Sequence, residues 1–257
     1  MICLTHVSKQ YGVGSTILNN VSFSLKQGQF TCLLGPSGCG KTTLLNLIAG
    51  FVRPTSGAVL VAGQPVYKPG PERGVVFQDA TLFPWINVLA NVSFGLRQKG
   101  LSKLQAAAVA QEYLELVGMT DYAAALPVSL SGGQRQRVAI ARVLALQPQV
   151  LLMDEPFSAL DANSRERLQD ELLRICMVRP TTVLYITHHV DEAAFLAERV
   201  LVMGPGSGNI RADLLLAQPR PRNRHSDEFT SIKNKLRQEL NQLPCCVAPI
   251  SVKGFES

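Results

Sequence analysis

The sequence lacks the features of several protein classes. It has no run of about 18 uninterrupted apolar residues, so we expect no segment that spans a membrane by itself. The first residues, MICLTHVSKQYG, lack a charged start followed by an apolar run and a small-residue cleavage site, so we expect no export signal. The six cysteines form no C-x-x-C pair and no metal-binding spacing, which favours reduced thiols in a cytosol.

Net charge and composition further restrict the possible protein classes. The net charge of +6 is not accompanied by a basic patch interleaved with aromatic residues. We therefore interpret the charge as a solvated surface and expect no nucleic-acid partner. A hydrophobic content of 46% with 17% charged residues is typical of a globular protein. At 257 residues we expect one large domain, or one domain with a subdomain.

Short β-rich runs alternate with helical patterns along most of the chain. Strands are predicted at FTCLLG (30–35), GAVLVAG (57–63), RGVVFQ (73–78), QVLLMDE (149–155), TTVLYIT (181–187) and VLVM (200–203). Helices are predicted at 42–50, 102–117, from 135 to about 148, 162–176 and 190–199. The alternation predicts an α/β fold with a mostly parallel sheet covered on both faces, interrupted by a helical subdomain at about 80–145.

The composition changes after Met203. A turn cluster, GPGSGN, is followed by the extended basic segment PRPRNR. We therefore predict a main domain, 1–211, and a C-terminal tail, 212–257, in which the basic segment is a linker. The spacing of the tail's apolar residues predicts an amphipathic helix that docks either on its own domain or on a partner. These residues are Phe229, Ile232, Leu236, Leu240 and Leu243.

A glycine-rich stretch, GPSGCGKTT, lies between a predicted strand and a predicted helix. It matches G-x-x-x-x-G-K-[ST], in which backbone N–H groups and the positive end of the helix surround a polyphosphate. The lysine of this pattern reaches the β- and γ-phosphates, and the threonine hydroxyl can bind Mg²⁺. A chance glycine turn is the alternative. The expected nucleotide contacts are Gly35, Pro36, Ser37, Gly38, Cys39, Gly40, Lys41, Thr42 and Thr43.

Cys39 occupies a variable position of this pattern, and we expect it to be passive in nucleotide binding. Its thiol would nonetheless lie beside a helix N-terminus, where a thiolate is favoured. Cys39 is therefore a candidate reactive cysteine that bound nucleotide would protect.

Two acidic residues follow the apolar run VLLM. This run predicts a buried parallel strand, which delivers both residues to the sheet edge where ligands bind. We expect Asp154 to hold Mg²⁺ and Glu155 to orient or deprotonate the attacking water. Capping of the next turn is the alternative interpretation.

Three other side chains are candidates at the same site. His188 ends a β-branched run and can hydrogen-bond the γ-phosphate or the water, although it could also be a structural histidine. Gln78 follows GVVF and can reach Mg²⁺ or the water. Tyr11 can stack on adenine or, alternatively, cover the core as a strand residue.

A second glycine turn, LSGGQRQR, opens a second helix. A helix N-terminus of this kind is another anion site, but the first loop already cradles the phosphates of its own chain. The second turn is best explained by a second copy of the protein. In a two-fold dimer, Ser131, Gly132 and Gly133 of one subunit would cover the γ-phosphate held by the other.

Together, GPSGCGKTT, Gln78, LSGGQRQR, VLLMDEP, SALD and His188 resemble the ATP-binding subunit of ATP-binding-cassette (ABC) transporters. The resemblance runs from residue 1 to about residue 211. It implies a phosphate-loop NTPase core with N-terminal antiparallel strands and an inserted helical subdomain. It also implies a head-to-tail homodimer that hydrolyses ATP. One departure is His189, which stands where the family usually has an acid.

The resemblance assigns two further sets of residues. Between the subunits, ATP would be contacted in trans by Ser131, Gly132, Gly133 and Gln134. Communication across the dimer interface would involve Ser158, Ala159, Leu160 and Asp161.

A finer resemblance concerns the transported solute. GPERGVVFQDATLFPWINVLANVSFGL is similar to the nitrate/sulfonate/taurine import class, and with LNLIAGFV it is most similar to taurine-type subunits. This implies a subunit on the cytoplasmic face of the inner membrane, working with permease subunits and a solute-binding protein. Taurine or another sulfonate is favoured, while nitrate, bicarbonate and other small solutes stay open.

The segment TLFPWINVLANVSF contains the only tryptophan. By residue type alone it could be core packing or an apolar groove for a short helix of a membrane partner. The family resemblance favours the groove, with Leu82, Phe83 and Trp85 as permease contacts. Gln78 would then link γ-phosphate sensing to this groove.

Two other function classes fit the sequence less well. A non-transport ATPase of the same family usually has two cassettes or a long coiled-coil insertion, and this chain has neither. A nucleotide switch without turnover needs no water-activating acid, so Glu155 argues against it.

Overall fold

The computed structural model describes residues 1–12, 15–178, 181–206 and 208–242, which contain ten strands and seven α-helices. The strands are β1 (Ile2–Tyr11), β2 (Ser15–Leu25), β3 (Phe30–Leu34), β4 (Ser56–Val61), β5 (Gln64–Pro65), β6 (Arg73–Val76), β7 (Val150–Asp154), β8 (Thr182–Thr187), β9 (Arg199–Met203) and β10 (Ile210–Leu215). The helices are α1 (Lys41–Ala49), α2 (Val88–Gln98), α3 (Lys103–Leu116), α4 (Gly132–Ala145), α5 (Ala162–Val178), α6 (Val190–Leu196) and α7 (Asp227–Asn241). None of these described helices is long and apolar enough to cross a bilayer.

The larger sheet has the strand order β10-β9-β3-β8-β7-β6. All of its strands are parallel except β10, which pairs antiparallel with β9 at the edge. Every residue of β3, β7 and β8 is buried, because their apolar runs are covered on both faces. The carboxyl ends of these three adjacent strands therefore bring the residues that follow them to one edge.

The smaller sheet, in the order β2-β1-β4-β5, is antiparallel throughout. Its inner face contributes Ile2, Leu4, Val7, Val21 and Val59 to a core shared with α1 and one face of the larger sheet. An α/β core with a mostly parallel sheet and N-terminal antiparallel strands confirms the predicted fold class.

Helices α2, α3 and α4 are inserted between β6 and β7. Ser102 and Ser131 begin α3 and α4, each in a capping box in which its hydroxyl accepts from the third residue of the helix. Asn87 caps α2 by accepting from the N–H of Ala90 at 2.8 Å. The sequence pattern predicted α3 and α4 but did not identify α2, whose β-branched and aromatic residues obscure the helical period.

The tail expected at 212–257 continues the main domain through residue 242. The boundary expected between residues 211 and 212 falls inside β10, which pairs with β9 along its length, so no domain division lies there. The apolar stripe of α7 docks on this chain's own core beside α6, where Phe229, Ile232 and Leu236 are buried. Leu243, the last residue of the predicted stripe, lies outside the described residues.

Arg222 fixes the approach to α7. Its buried guanidinium donates to the carbonyls of Ala194 and Ala197 at 2.8 and 2.7 Å, at the C-terminal end of α6. These carbonyls have no partner within their own helix, so a cation there satisfies them and complements the helix dipole. Burial lowers the pKa of Arg222 to about 10.

Candidate active site

The predicted phosphate loop connects β3 to α1. Gly38 and Gly40 have φ of 78° and 101°, a left-handed backbone that favours glycine and turns the loop back toward the start of α1. A Cβ on Gly40 would also lie 2.9 Å from Cδ2 of Leu18 and 3.2 Å from Ile17 O, so a side chain here would require its neighbours to shift. The loop thus has the curled backbone that an anion needs at a helix N-terminus.

Lys41 is the first residue of α1, and its side chain is buried within the loop. The ammonium donates to the carbonyls of Gly35 and Pro36 at 2.8 and 2.7 Å. The loop therefore holds the cation at the centre of its own turn, where it can contact an anion bound by the surrounding backbone N–H groups.

The side chains of Asp154 and Thr42 are hydrogen-bonded to each other, which places two oxygens beside the loop. Burial raises the pKa of Asp154, and a hydrogen bond with the Thr42 side chain opposes this shift. One carboxylate and one hydroxyl are typical of Mg²⁺, which binds few protein ligands and keeps its remaining positions for phosphate oxygens and water. In the described part of the chain, no group of three or more His, Cys, Asp or Glu side chains is placed to hold a metal ion.

Glu155 and His188 contact each other at the edge of the sheet. The imidazole Nδ1 lies 2.9 Å from Oε1 of Glu155. The backbone of Glu155 has φ of 45°, uncommon for a residue with a side chain, and its N–H donates to Ile186 O at 3.0 Å. Such strained positions are common at functional sites, and this one turns the carboxylate toward the end of β8.

His189, which stands where the family usually has an acid, packs against His188 with ring centroids 4.0 Å apart. Its backbone N–H donates to the Thr187 hydroxyl at 2.9 Å. The turn after β8 is therefore held by a backbone contact that does not depend on the side chain at position 189.

The second glycine turn forms the N-terminus of α4. Ser131 and Gln134 bond each other reciprocally, so their side chains serve the capping box. Gly132 is exposed, with open space where a Cβ would lie except for the Arg135 guanidinium 3.9 Å away. A Cβ on Gly133 would lie 3.0 Å from Cδ2 of Leu160, so this turn packs on the 158–161 segment.

The 158–161 segment leads directly from Glu155 into α5. The Ser158 hydroxyl donates to Glu155 O at 2.9 Å, and Leu160 is buried in the core. Asp161 accepts from the N–H of Ser164 at 2.9 Å, and hydrogen bonds from Ser164 hold the pKa of Asp161 below its usual range. Ala159 is exposed between them. These residues join the water-activating candidate to the second glycine turn.

The burial of Cys39 contradicts the expectation of a reactive thiol. Its side chain is only 1% exposed and belongs to the core shared with the smaller sheet. Burial raises the pKa of the Cys39 thiol, and the nearby Lys41 only partly offsets this. Desolvation therefore outweighs the helix N-terminus, and we expect the thiol to be unreactive.

The remaining candidates lie on exposed segments. Gln78 is exposed on the loop after β6, and Tyr11 is half exposed with the Lys9 ammonium 4.8 Å from its ring centroid. Trp85 is 74% exposed and lines a surface groove of about 680 Å³ with Phe83 and Phe94. Leu82 packs instead against the core, so it does not line this groove.

Gln136 is a residue that the sequence analysis missed. It is only 2% exposed, and its amide donates to Phe77 O at 2.9 Å. This bond ties α4 to the backbone immediately before Gln78. A sequence signal was available, since Gln136 is the polar member of an apolar i, i+4 row that continues with Ile140 and Leu144.

The curled glycine loop, the buried lysine, the acid that follows β7 and the second glycine turn define a phosphate-loop nucleotide-binding protein. A family model described as ABC transporter matches residues 18–158, which is more than half of the chain. The chain therefore belongs to the ABC transporter family, in which it is an ATP-hydrolysing, ATP-binding subunit. This confirms the resemblance read from the motifs.

Relatives and solved structures agree with the family. The taurine import ATP-binding protein TauB of Escherichia coli O157:H7 is 47% identical over 210 residues, 82% of each chain. The bicarbonate transport ATP-binding protein CmpD of a Synechocystis strain is 45% identical over 229 residues, 87% of this chain and 81% of CmpD. A dimeric post-hydrolysis structure of the ATP-binding cassette MJ0796 with ADP and Pi has a TM-score of 0.78 and 32% identity, covering 85% of this chain and all of that one.

Proposed function

We propose that this subunit drives an importer of a small anion-like solute, and that two copies work head to tail with permease subunits. The observation that carries the proposal is the contact between Glu155 and His188 beside the phosphate loop. A carboxylate held in place by an imidazole is an arrangement that can activate water. It favours turnover over a nucleotide switch.

Each residue of the site has a chemical task in this proposal. The loop N–H groups and Lys41 bind the β- and γ-phosphates. Asp154 and Thr42 hold Mg²⁺ together with Gln78, and the ion when bound neutralises phosphate charge. Glu155 accepts a proton from the attacking water, while His188 fixes the carboxylate and can donate to the γ-phosphate. Tyr11 stacks on the adenine.

The second copy completes the site. The exposed Gly132 and the N-terminus of α4 present N–H groups suited to an anion outside this chain. Ser131, Gly133 and Gln134 would approach the partner's nucleotide on the same turn, and residues 158–161 would transmit closure to Glu155. The dimeric form of the related cassette MJ0796 supports this arrangement.

The groove beside Trp85 is the proposed permease contact. It is apolar at Phe83, Trp85 and Phe94 and bordered by Arg97 and Lys103. Such a groove suits a short amphipathic helix. Occupancy of this groove would place the subunit peripherally, on the cytoplasmic face of the membrane that holds the permease. A solute-binding protein would act on the other face.

The solute is a small anion-like molecule, and we favour a sulfonate such as taurine. The similarity to TauB supports this choice, and the similarity to CmpD keeps bicarbonate as the competing solute. Nitrate belongs to the same import class and is a third candidate. The ATPase itself does not contact the solute, so the choice rests on relatives alone.

Uptake in the native host tests the proposal. Deletion of the gene should abolish uptake of one labelled solute among taurine, bicarbonate and nitrate. The wild-type gene should restore uptake, whereas Glu155→Gln, expressed to the same level, should not. Unchanged uptake of all three solutes would reject the assigned solute class, and restoration by Glu155→Gln would reject the role of the carboxylate.

A further inference from the structure

A buried carboxylate lies behind the turn after β8, which carries His188 and His189 and is called the histidine turn below. Glu192, on α6, is only 4% exposed. Its Oε2 accepts hydrogen bonds from the Thr187 hydroxyl at 2.7 Å and from the Tyr185 hydroxyl at 2.8 Å. Burial of a carboxylate costs free energy unless the group is paired and hydrogen-bonded. These hydrogen bonds therefore offset the cost of burying Glu192. Nothing in the proposed hydrolysis uses Glu192 directly.

The Thr187 hydroxyl transmits the position of Glu192 to the histidine turn. A hydroxyl has one proton, and Thr187 donates it to Glu192. Its oxygen is thereby oriented to accept the backbone N–H of His189 at 2.9 Å. Anchors on both sides of His188 restrict the backbone that carries its imidazole, which is the group 2.9 Å from Glu155.

The other oxygen of Glu192 faces α5. Oε1 lies 3.9 Å from Nε of Arg165 and 3.5 Å from Nε2 of Gln169. The same guanidinium donates from Nη2 to Leu160 O at 3.0 Å. Nε of Arg165 is buried without a hydrogen bond, so the charge of Glu192 is what compensates it. Glu192 therefore lies between the histidine turn and the 158–161 segment.

We propose that Glu192 is a positioning residue for hydrolysis, acting through Thr187 to hold His188 against Glu155. Through Arg165 it also holds the carbonyl of Leu160, so the histidine turn and the 158–161 segment share one anchor. The inference rests on the proposed roles of His188 and Glu155 in water activation. It adds a reason why a turn lacking the family's usual acid can still fix the histidine.

Two hydroxyls that donate to the same oxygen provide a matched test. Thr187→Val removes the hydroxyl with little change of shape and breaks the link to His189. Tyr185→Phe removes the other donor to Oε2 but keeps the hydrogen bonds of Thr187 to Glu192 and His189. Both side chains are buried, so both variants should lower the melting temperature. Only Thr187→Val should lower kcat, by on the order of 10- to 100-fold, because a small displacement of a positioned group is costly.

Three measurements distinguish positioning from general destabilisation. In Thr187→Val, the KM for ATP should stay within about twofold, because the phosphate loop is unchanged. Thr187→Ser, which keeps the hydroxyl, should restore most of the lost kcat. The NMR signals of the His188 ring should shift in Thr187→Val and not in Tyr185→Phe. Equal loss of kcat in the valine and phenylalanine variants, or no recovery with serine, would overturn the inference.

The His188→Ala variant separates this inference from the proposed function. If His188→Ala retains full turnover, the proposed role of the histidine is wrong and the positioning role of Glu192 is rejected with it. If His188→Ala loses turnover while Thr187→Val keeps it, the histidine role stands and only the Glu192 inference fails. Should Thr187→Val not fold, Thr187→Ala removes the same hydroxyl without the branched side chain and is compared with Tyr185→Phe in the same way.

Discussion

The imidazole of His188 lies 2.9 Å from the carboxylate of Glu155, although the two residues follow different strands. β7 and β8 are parallel neighbours, with Asp154 paired to Ile186, so their carboxyl ends deliver both side chains to one point. Glu155 accepts at Oε1, which leaves Oε2 for a water. The role of this pair in water activation can therefore be tested by replacing either residue.

Replacement of Glu155 by glutamine should arrest the subunit in an ATP-bound dimer. The amide keeps the shape of the carboxylate but cannot take a proton from water, so the hydrolysis rate should fall on the order of 10²- to 10⁴-fold. On a sizing column, ATP with Mg²⁺ should convert this variant from monomer to dimer, and ADP should not.

The second glycine turn is tested in the same background. Ser131→Arg adds a bulky side chain at the exposed N-terminus of α4, so it should abolish the ATP-dependent dimer while each monomer still binds ATP. A Glu155→Gln protein that stays monomeric with ATP, or a double variant that still dimerises, would contradict the proposed head-to-tail site.

Asp154→Asn should stabilise the nucleotide-free protein while impairing hydrolysis. Burial raises the folded-state pKa of Asp154 above its unfolded value, so ionisation of this carboxyl at neutral pH opposes folding. The amide removes that cost, and each kcal/mol gained corresponds to a rise in Tm of about 2–4 °C at this size. The difference should shrink as pH falls from neutral toward about 4 and should be absent below that pH, where the carboxyl is protonated in both the folded and the unfolded state.

Asp213→Asn is a control in which the change in Tm should have the opposite sign. A hydrogen bond from Arg199 lowers the pKa of Asp213, so its ionised form favours the folded state. Its replacement should lower Tm at neutral pH. Thermal melts at pH 7 that show a lower Tm for Asp154→Asn would refute the destabilising role of that buried carboxylate.

Cys39 should resist alkylation whether or not ATP is present. Its thiol is buried and its pKa is raised, so both access and thiolate population are low at neutral pH. Mass spectrometry after brief treatment with N-ethylmaleimide should find Cys3, which is partly exposed, labelled well before Cys39. Fast labelling of Cys39 that ATP slows would favour the reactive thiol expected from the motif alone.

Trp85→Ala should leave the isolated subunit folded and active but reduce its retention on permease-containing membranes. The indole is 74% exposed, so its loss removes little core packing. Leu104→Ala is a matched control, because Leu104 is 82% exposed in the same subdomain and does not line the groove. Equal retention of the two variants would place the permease contact elsewhere, and a large drop in Tm for Trp85→Ala would assign this residue to the core.

The sequence alone determined the parts of this protein that depend on local patterns. The glycine loop, the buried strands, the acids after β7 and the cap of α4 each follow from residue types at fixed short spacings. Parallel strands also have a common carboxyl edge, so the meeting of Asp154, Glu155 and His188 could be predicted before any contact was known.

Only the tertiary structure decided the features that depend on what lies opposite each residue. Cys39 stands beside a helix N-terminus in the sequence, but packing from the smaller sheet and the core buries it and reverses its expected chemistry. The basic segment before α7 was predicted as a linker, yet Arg222 is buried in it because the carbonyls at the end of α6 need a donor. In the sequence, Glu192 is indistinguishable from an exposed acid on a helix. In the structure it is buried and contacts Thr187, Tyr185 and Arg165. Burial and hydrogen-bond partners depend on how separate strands, turns and helices pack together, which the spacing of residues in the sequence does not reveal.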